Sequence, residues 1–207
     1  MILKFLIIFI FIMICSANDK RYIYLTIDDG PSALTSDICD LLKKHKAKAS
    51  FFVLGKNVKR YPKMLERIFA DGHLVGNHTY SHINFYKKRD DIFLIRQEIK
   101  KAEDEIFRII GVKPLYLRYP YGYHSQKAIE IASDMGYKVI NWDFGYDWKN
   151  DDEDVIISRY RKNILAGKII LMHDTAKRNK MALRLLKALL EEGEKKGLVF
   201  VRLDEVR

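Results

Sequence analysis

The chain predicts an α/β domain built on parallel strands, on three observations. From residue 20 onward, short apolar runs rich in β-branched and aromatic residues alternate with helical stretches. The runs are nearly continuous in hydrophobicity, as strands covered on both faces are. No Pro/Gly/Ser-rich linker, internal repeat or low-complexity tract interrupts the alternation, so residues 20–207 of the 207 read as one domain.

Taken in order, the strands are Tyr22–Ile27, Ala49–Val53, Leu74–Gly76, Leu115–Tyr119, Lys138–Trp142, Lys168–Met172 and Leu198–Val201. Helical stretches fall near 35–45, 58–71, 90–109, 125–135, 152–164 and 179–196. Asp90 and Ser125 are predicted N-caps, and Gly111, Gly136, Gly167 and Gly197 are predicted C-terminal stops. About seven parallel strands with helical crossovers fit either an open doubly wound sheet or a small barrel.

The first residues read differently. Lys4 precedes the apolar stretch Phe5–Ile14, and the small residues Cys15, Ser16 and Ala17 follow it. This is the pattern of a secretory signal peptide over residues 1–17, with an uncleaved N-terminal anchor as the alternative and the only route to a membrane. Bulky Ile14 argues against lipidation of Cys15. With Cys15 removed, Cys39 is left alone, which excludes an internal disulfide and suits a small buried hydrophobe in a helix. The expected location is secreted or cell envelope. The net charge of +10 suits work near anionic polymers, although a Lys-rich solvated surface gives the same number. No nucleic-acid motif accompanies the charge, so nucleic acid is not an expected partner.

Polar residues gather at the predicted strand ends. Asp28 and Asp29, within Thr26-Ile27-Asp28-Asp29-Gly30-Pro31, follow the first strand, and His78 and His82 follow the third. Arg118 ends the fourth, Asp147 and Trp148 follow the fifth, and His173 and Asp174 follow the sixth. The C-terminal ends of parallel strands are where such folds assemble active sites. Adjacent carboxylates repel unless a cation or donors compensate. An Asp-Asp-Gly alone is usually a turn, and a lone His-x-x-x-His is often only polar surface. Together, two imidazoles and a carboxylate make half a coordination shell with open positions, the mark of a catalytic metal site.

Five ordered segments carry a resemblance. Thr26–Pro31, His78-Thr79-Tyr80-Ser81-His82, Arg118-Tyr119-Pro120-Tyr121-Gly122, Asp147-Trp148 and Leu171-Met172-His173-Asp174 are similar to the motifs of the polysaccharide deacetylases, the NodB-homology domains of carbohydrate esterase family 4. The resemblance covers residues 20–207. It implies a distorted, incomplete (β/α) barrel and metal-dependent removal of N-acetyl groups from a sugar polymer. Ile27 replaces a usual Phe, Tyr119 stands where Pro is common, and the Trp142–Trp148 segment is shorter than usual, which leaves Asp143 without an assigned role.

Carried over residue by residue, the resemblance implies Asp29, His78 and His82 as ligands of one divalent ion, zinc first, with cobalt, manganese or nickel as alternatives. Asp28 is then the general base, with Arg118 as its charge partner. The Tyr121 backbone N–H is the oxyanion donor, and His173 is the general acid oriented by Asp147. Trp148 and Leu171 wall an acetyl pocket. Tyr80, Tyr123, Tyr146 and Trp142 are candidates for stacking on sugar rings, with ordinary packing the alternative. His45 and His73 have no assigned role, and His124 is placed near the rim. The expected substrate is an N-acetylglucosamine polymer, with peptidoglycan favoured over chitin and a monomeric enzyme expected. An amidase or deformylase on another N-acylated sugar, and a non-catalytic carbohydrate-binding protein on the same fold, are the competing readings. Intact Asp28 and His173 speak against the last.

Overall fold

The computed structural model describes residues 21–88, 91–174 and 179–205. The predicted leader 1–17, Cys15 and the predicted Asp90 cap lie outside the described residues.

Every predicted strand and helix has a counterpart; among the described residues one strand is added and one predicted helix is divided in two. The strands are β1 (Arg21–Asp28), β2 (Ser50–Val53), β3 (Leu74–Asn77), β4 (Tyr116–Leu117), β5 (Lys138–Val139), β6 (Phe144–Gly145), β7 (Ile169–His173) and β8 (Leu198–Val201). The helices are α1 (Thr35–Lys44), α2 (Gly55–Arg60), α3 (Pro62–Ala70), α4 (Ile92–Ile110), α5 (Gln126–Asp134), α6 (Glu153–Asn163) and α7 (Asn179–Lys195). The stretch expected as one helix over 58–71 is two, because Pro62 bars Tyr61 from the helical region, and Tyr61 adopts φ −128°, ψ 55°. Asp91 caps α4 by accepting the Leu94 N–H at 3.0 Å, and Ser125 caps α5 through Ala128 N–H at 3.1 Å. Gly111 ends α4 at φ 68°, a left-handed conformation that costs a residue without Cβ little.

The strands form a parallel sheet in the order β5-β4-β3-β2-β1-β7-β6, with β8 paired to the first half of β1. Its two ends, β5 and β6, are joined by residues 140–143 alone. Laid flat, seven strands would separate those ends by about 29 Å. A link this short reaches roughly 17 Å at most. The sheet therefore curls, and among the described residues β5 and β6 do not pair, so the barrel stays incomplete.

Alternation along the strands sorts the two faces. Ile23, Leu25 and Ile27 of β1, Phe51 and Val53 of β2, and Ile170 and Met172 of β7 pack outward against the helices in the main core. Tyr24, Phe52, Tyr116 and Ile169 face inward. On the same inward columns lie Thr26 and Asp28 of β1 and Leu171 and His173 of β7. The inner face thus runs from an apolar floor to a polar mouth at the strand C-termini. Among the described residues, no helix is long and apolar enough to cross a membrane.

Candidate metal centre and active site

Register brings the predicted site residues together. In the β1–β7 ladder Asp28 is paired with His173, so their side chains emerge side by side at the mouth of the barrel. In the β3–β4 ladder Asn77 pairs with Leu117, which sets His78 next to Arg118. The loops beyond the strands then bend back sharply: Asp29 (φ 72°), Thr79 (φ 67°), His82 (φ 64°) and Tyr121 (φ 60°) are non-glycine residues in the left-handed region. Such strain concentrates where a function demands a particular side-chain direction.

Asp29, His78 and His82 form a tight cluster whose ligand atoms all lie within 4.8 Å of one another. His78 Nε2 and His82 Nε2 stand 3.5 Å and 3.3 Å from Asp29 Oδ1. His78 donates its Nδ1–H to the Arg118 carbonyl at 2.7 Å, which leaves the Nε2 lone pair aimed at the cluster. Burial, partly opposed by Asp29, lowers the His78 pKa to about 3, so this imidazole is neutral. Burial likewise lowers His82. Asp29 Oδ1 is buried and has no hydrogen-bond partner. An orphaned carboxylate oxygen facing a neutral imidazole lone pair is an arrangement that a cation completes. The residues therefore fit a divalent metal ion.

Asp28 lies beside this cluster, its Oδ2 at 3.7 Å from His78 Nε2. Its other oxygen accepts Arg118 Nη1–H at 2.9 Å. Arg118 is fully buried and held on every side. It donates to Thr26 Oγ1 (2.7 Å), Ile140 O (3.2 Å) and Asn141 O (2.9 Å), and its guanidinium lies 4.2 Å from the Phe52 ring centroid. The same side chain thus binds the link between β5 and β6 and fixes Asp28. Burial raises the Asp28 pKa above the ordinary carboxylate value, with the Arg118 charge acting against the rise.

On the neighbouring strand, beside Asp28, Asp147 grips His173 twice: Oδ1 accepts Nδ1–H at 2.9 Å and Oδ2 accepts the backbone N–H at 2.7 Å. Burial disfavours the charged imidazole, but the Asp147 bond and charge override it and raise the His173 pKa to about 9. Tyr160, unrecognised in the sequence, supports this pair from α6. Its hydroxyl accepts the N–H groups of Tyr146 (2.9 Å) and Asp147 (3.2 Å) and donates to Leu171 O (2.6 Å). Asp147 follows β6, the two-residue strand absent from the predicted set, rather than a strand reaching Trp142.

A cavity of about 460 Å³ opens over these groups. Asp28, Asp29, His78, His82, Tyr121, Asp147, Trp148, Leu171 and His173 all line it, joined by Tyr119, Trp142 and two α7 residues, Met181 and Ala182, that no motif signalled. Of the four stacking candidates only Trp142 is among these lining residues. Tyr123 is buried among Phe85, Tyr86 and Tyr119, and Tyr80 packs on Gly55. Tyr146 bonds Asp151 and lies under Arg159. Asp143, left unassigned, accepts Ile169 N–H at 2.8 Å and is structural. His45 pairs with Glu194, and exposed His124 bonds the Gly122 carbonyl.

The curled parallel sheet and its Asp-His-His cluster define an incomplete (β/α) barrel with a candidate mononuclear metal centre at the strand C-termini. Residues 16–140 match the family described as polysaccharide deacetylase, and the chain belongs to that family. A peptidoglycan-N-acetylglucosamine deacetylase of Bacillus cereus is 37% identical over 76% of this chain. A second protein of that name from the same organism is 31% identical over 91% of the chain. The chain spans 57% of the length of the first and 89% of the second. Among solved structures, peptidoglycan deacetylase PdaC from Bacillus subtilis superposes with a TM-score of 0.82 at 33% identity, covering 91% of this chain and 90% of that one.

Proposed function

We propose that this chain is a metal-dependent hydrolase that removes N-acetyl groups from N-acetylglucosamine units of peptidoglycan. The observation that carries the reading is the convergence on one cavity of the Asp29–His78–His82 cluster, of buried Asp28 held by Arg118, and of half-buried His173 held by Asp147. Family membership and relatives named as peptidoglycan deacetylases support the substrate.

When bound by Asp29, His78 and His82, a divalent ion supplies Lewis-acid polarisation of the amide carbonyl and lowers the pKa of water. Zinc suits a carboxylate and two imidazoles with open positions. Asp28 takes the water proton on Oδ2, the oxygen Arg118 leaves free, and its raised pKa makes it a better acceptor near neutral pH. The Tyr121 N–H donates to the charge developing on the carbonyl oxygen. His173, its Nδ1–H engaged by Asp147, presents Nε2–H to the departing amine, a group that must be protonated to leave. Trp148 and Leu171 enclose the acetyl methyl group.

We also infer that residues 1–17 direct export, that 20–207 form the catalytic domain, and that the enzyme acts as a secreted or envelope monomer. The basic surface, +10 overall, suits an anionic wall polymer.

Incubating purified protein and zinc with peptidoglycan, chito-oligomers and N-formyl or other N-acyl sugars tests the assignment. Acetate release with a matching mass loss from muropeptides is expected. Turnover confined to chito-oligomers or another acyl group would replace the substrate, and glycan binding without any release would replace the enzyme.

A further inference from the structure

Two buried carboxylates outside the cavity lining remain unexplained by the chemistry above. Asp174, only 1% exposed, follows His173. Its Oδ1 accepts Ser32 Oγ–H at 2.5 Å and its Oδ2 accepts Thr35 Oγ1–H. Both hydroxyls belong to the segment that leaves β1 through Asp28 and Asp29. Its backbone N–H is donated to the Asp28 carbonyl at 2.9 Å. The fit is close: a Cβ on Gly30 would stand 2.8 Å from Asp174 Oδ2. Asn57 completes the hold from α2 by donating to the Asp29 carbonyl at 2.6 Å.

Glu98, 5% exposed on α4, serves the other ligand loop in the same way. Its Oε2 accepts both the N–H (2.8 Å) and Oγ–H (2.9 Å) of Ser81, the residue between the two histidine ligands and next to His82. The loop carbonyls of Thr79 and Tyr80 are taken by the N–H groups of Gly55 and Lys56, each at 3.0 Å.

Each clamp sits on a loop whose ligand-bearing turn is strained. Asp29 holds φ 72° in one, and Thr79 and His82 hold φ 67° and 64° in the other. Non-glycine residues leave that region unless their surroundings over-determine it. Neither carboxylate reaches the cluster, so neither is a ligand.

We propose that Asp174 and Glu98 are positioning residues that lock the Asp29 loop and the His78–His82 loop in ligand-bearing geometry before a metal ion arrives. The inference rests on the metal-site reading above and goes beyond it: affinity is set by the two clamps as well as by the three ligands.

Zinc affinity of the full chain, measured by competition with a fluorescent chelator, tests it alongside apo-protein circular dichroism and melting. Asp174→Ala and Glu98→Ala should each weaken zinc binding by about 10- to 100-fold, the range for groups that orient ligands. Glu98→Gln keeps an acceptor for Ser81 and should stay within about threefold of the parent, whereas Asp174→Asn, which keeps only one acceptor, should fall between. A merely structural carboxylate would lower the melting temperature and leave the zinc affinity of the folded fraction alone. Should either alanine variant fail to fold, Ser32→Ala and Ser81→Ala remove single clamp bonds and should still weaken zinc measurably. Parental zinc affinity in folded clamp variants, with His78→Ala losing zinc, overturns the positioning role alone. Parental affinity in His78→Ala as well would overturn the metal-site reading instead.

Discussion

Among the described residues, two clusters offer a metal ion comparable ligand types at comparable spacing, and only one is built to receive it. Asp29, His78 and His82 lie at the C-terminal mouth of the sheet. Cys39, Asp71 and His73 lie at the other end, on α1 and around the loop before β3, and their ligand atoms also fall within 4.8 Å of one another. The difference is in what the donor atoms already do. Asp71 is engaged by Arg67 at 2.6 Å, and its carbonyl accepts from Lys48. His73 Nδ1 accepts the Ala49 N–H at 3.3 Å, and burial, with acidic neighbours, pushes the Cys39 thiol up to about 12. In the first cluster Asp29 Oδ1 has no partner, His78 is neutral with Nε2 turned inward, and a cavity admits substrate. Donor type and spacing are therefore insufficient; uncompensated electron pairs converging beside a cavity distinguish the functional cluster.

The largest effects should follow from cutting into the first cluster. His78→Ala and His82→Ala should each strip the metal and abolish acetate release, read by plasma mass spectrometry and an acetate assay. Retained full occupancy would erase the contrast between the two clusters.

Next in size is Asp28→Asn, which leaves the three ligands intact. Metal should stay bound while kcat falls by at least about a hundredfold, as for loss of a general base. Loss of metal equal to that of Asp29→Ala would make Asp28 a ligand instead.

His173 separates proton donation from metal binding. In the parent, the acid form of a group with pKa about 9 is present below that pH, so activity should fall as pH rises through 9. Asp28, raised above the usual carboxylate value, should set the acidic limb, where activity falls as pH drops. His173→Ala should keep metal, lose most turnover and lose the basic limb. A basic limb unchanged in the residual activity would assign the proton to another donor.

The opposite cluster should respond in stability alone. His73 is held near pKa about 4 against an ordinary 6.5, chiefly by burial. A depressed folded pKa contributes stability that is complete above pH 6.5 and is lost as pH falls towards 4. A His73→Gln variant should therefore show a flatter melting profile over that window, with kcat and metal content unchanged. Cys39→Ala should cost about 1 kcal/mol, roughly 2–4 °C in melting temperature for a chain of this size. A drop in metal stoichiometry in either variant would make the second cluster a metal site.

How far the sequence could be read follows the same division. Apolar runs such as β1 and β8, the body of α4 and the Ser125-capped α5 were legible, because periodicity and end signals are local, whereas the α4 cap is Asp91 and not the expected Asp90. The site's polar residues were legible because they crowd strand ends and carry family motifs. Two-residue β6 was not, since two residues have no period and it is a strand only through pairing with β7. Asp174 was visible at a strand end and in a family motif but carried no role, and Tyr160, Glu98 and Met181 were hidden. Each acts across the fold on a segment it reaches only through tertiary packing, and an isolated Tyr, Glu or Met in a helix looks like any other. Tyr123 stayed open between stacking and packing for the converse reason: an aromatic beside a motif is indistinguishable in sequence from one packed beneath it.

In the proposed mechanism one ion, held by Asp29, His78 and His82, activates deacetylation. Titrating zinc into chelator-treated protein while measuring acetate released from peptidoglycan tests it most directly. Activity should rise from zero and level at one equivalent per chain. Acetate release that is independent of zinc, or that levels only at two equivalents, would contradict it.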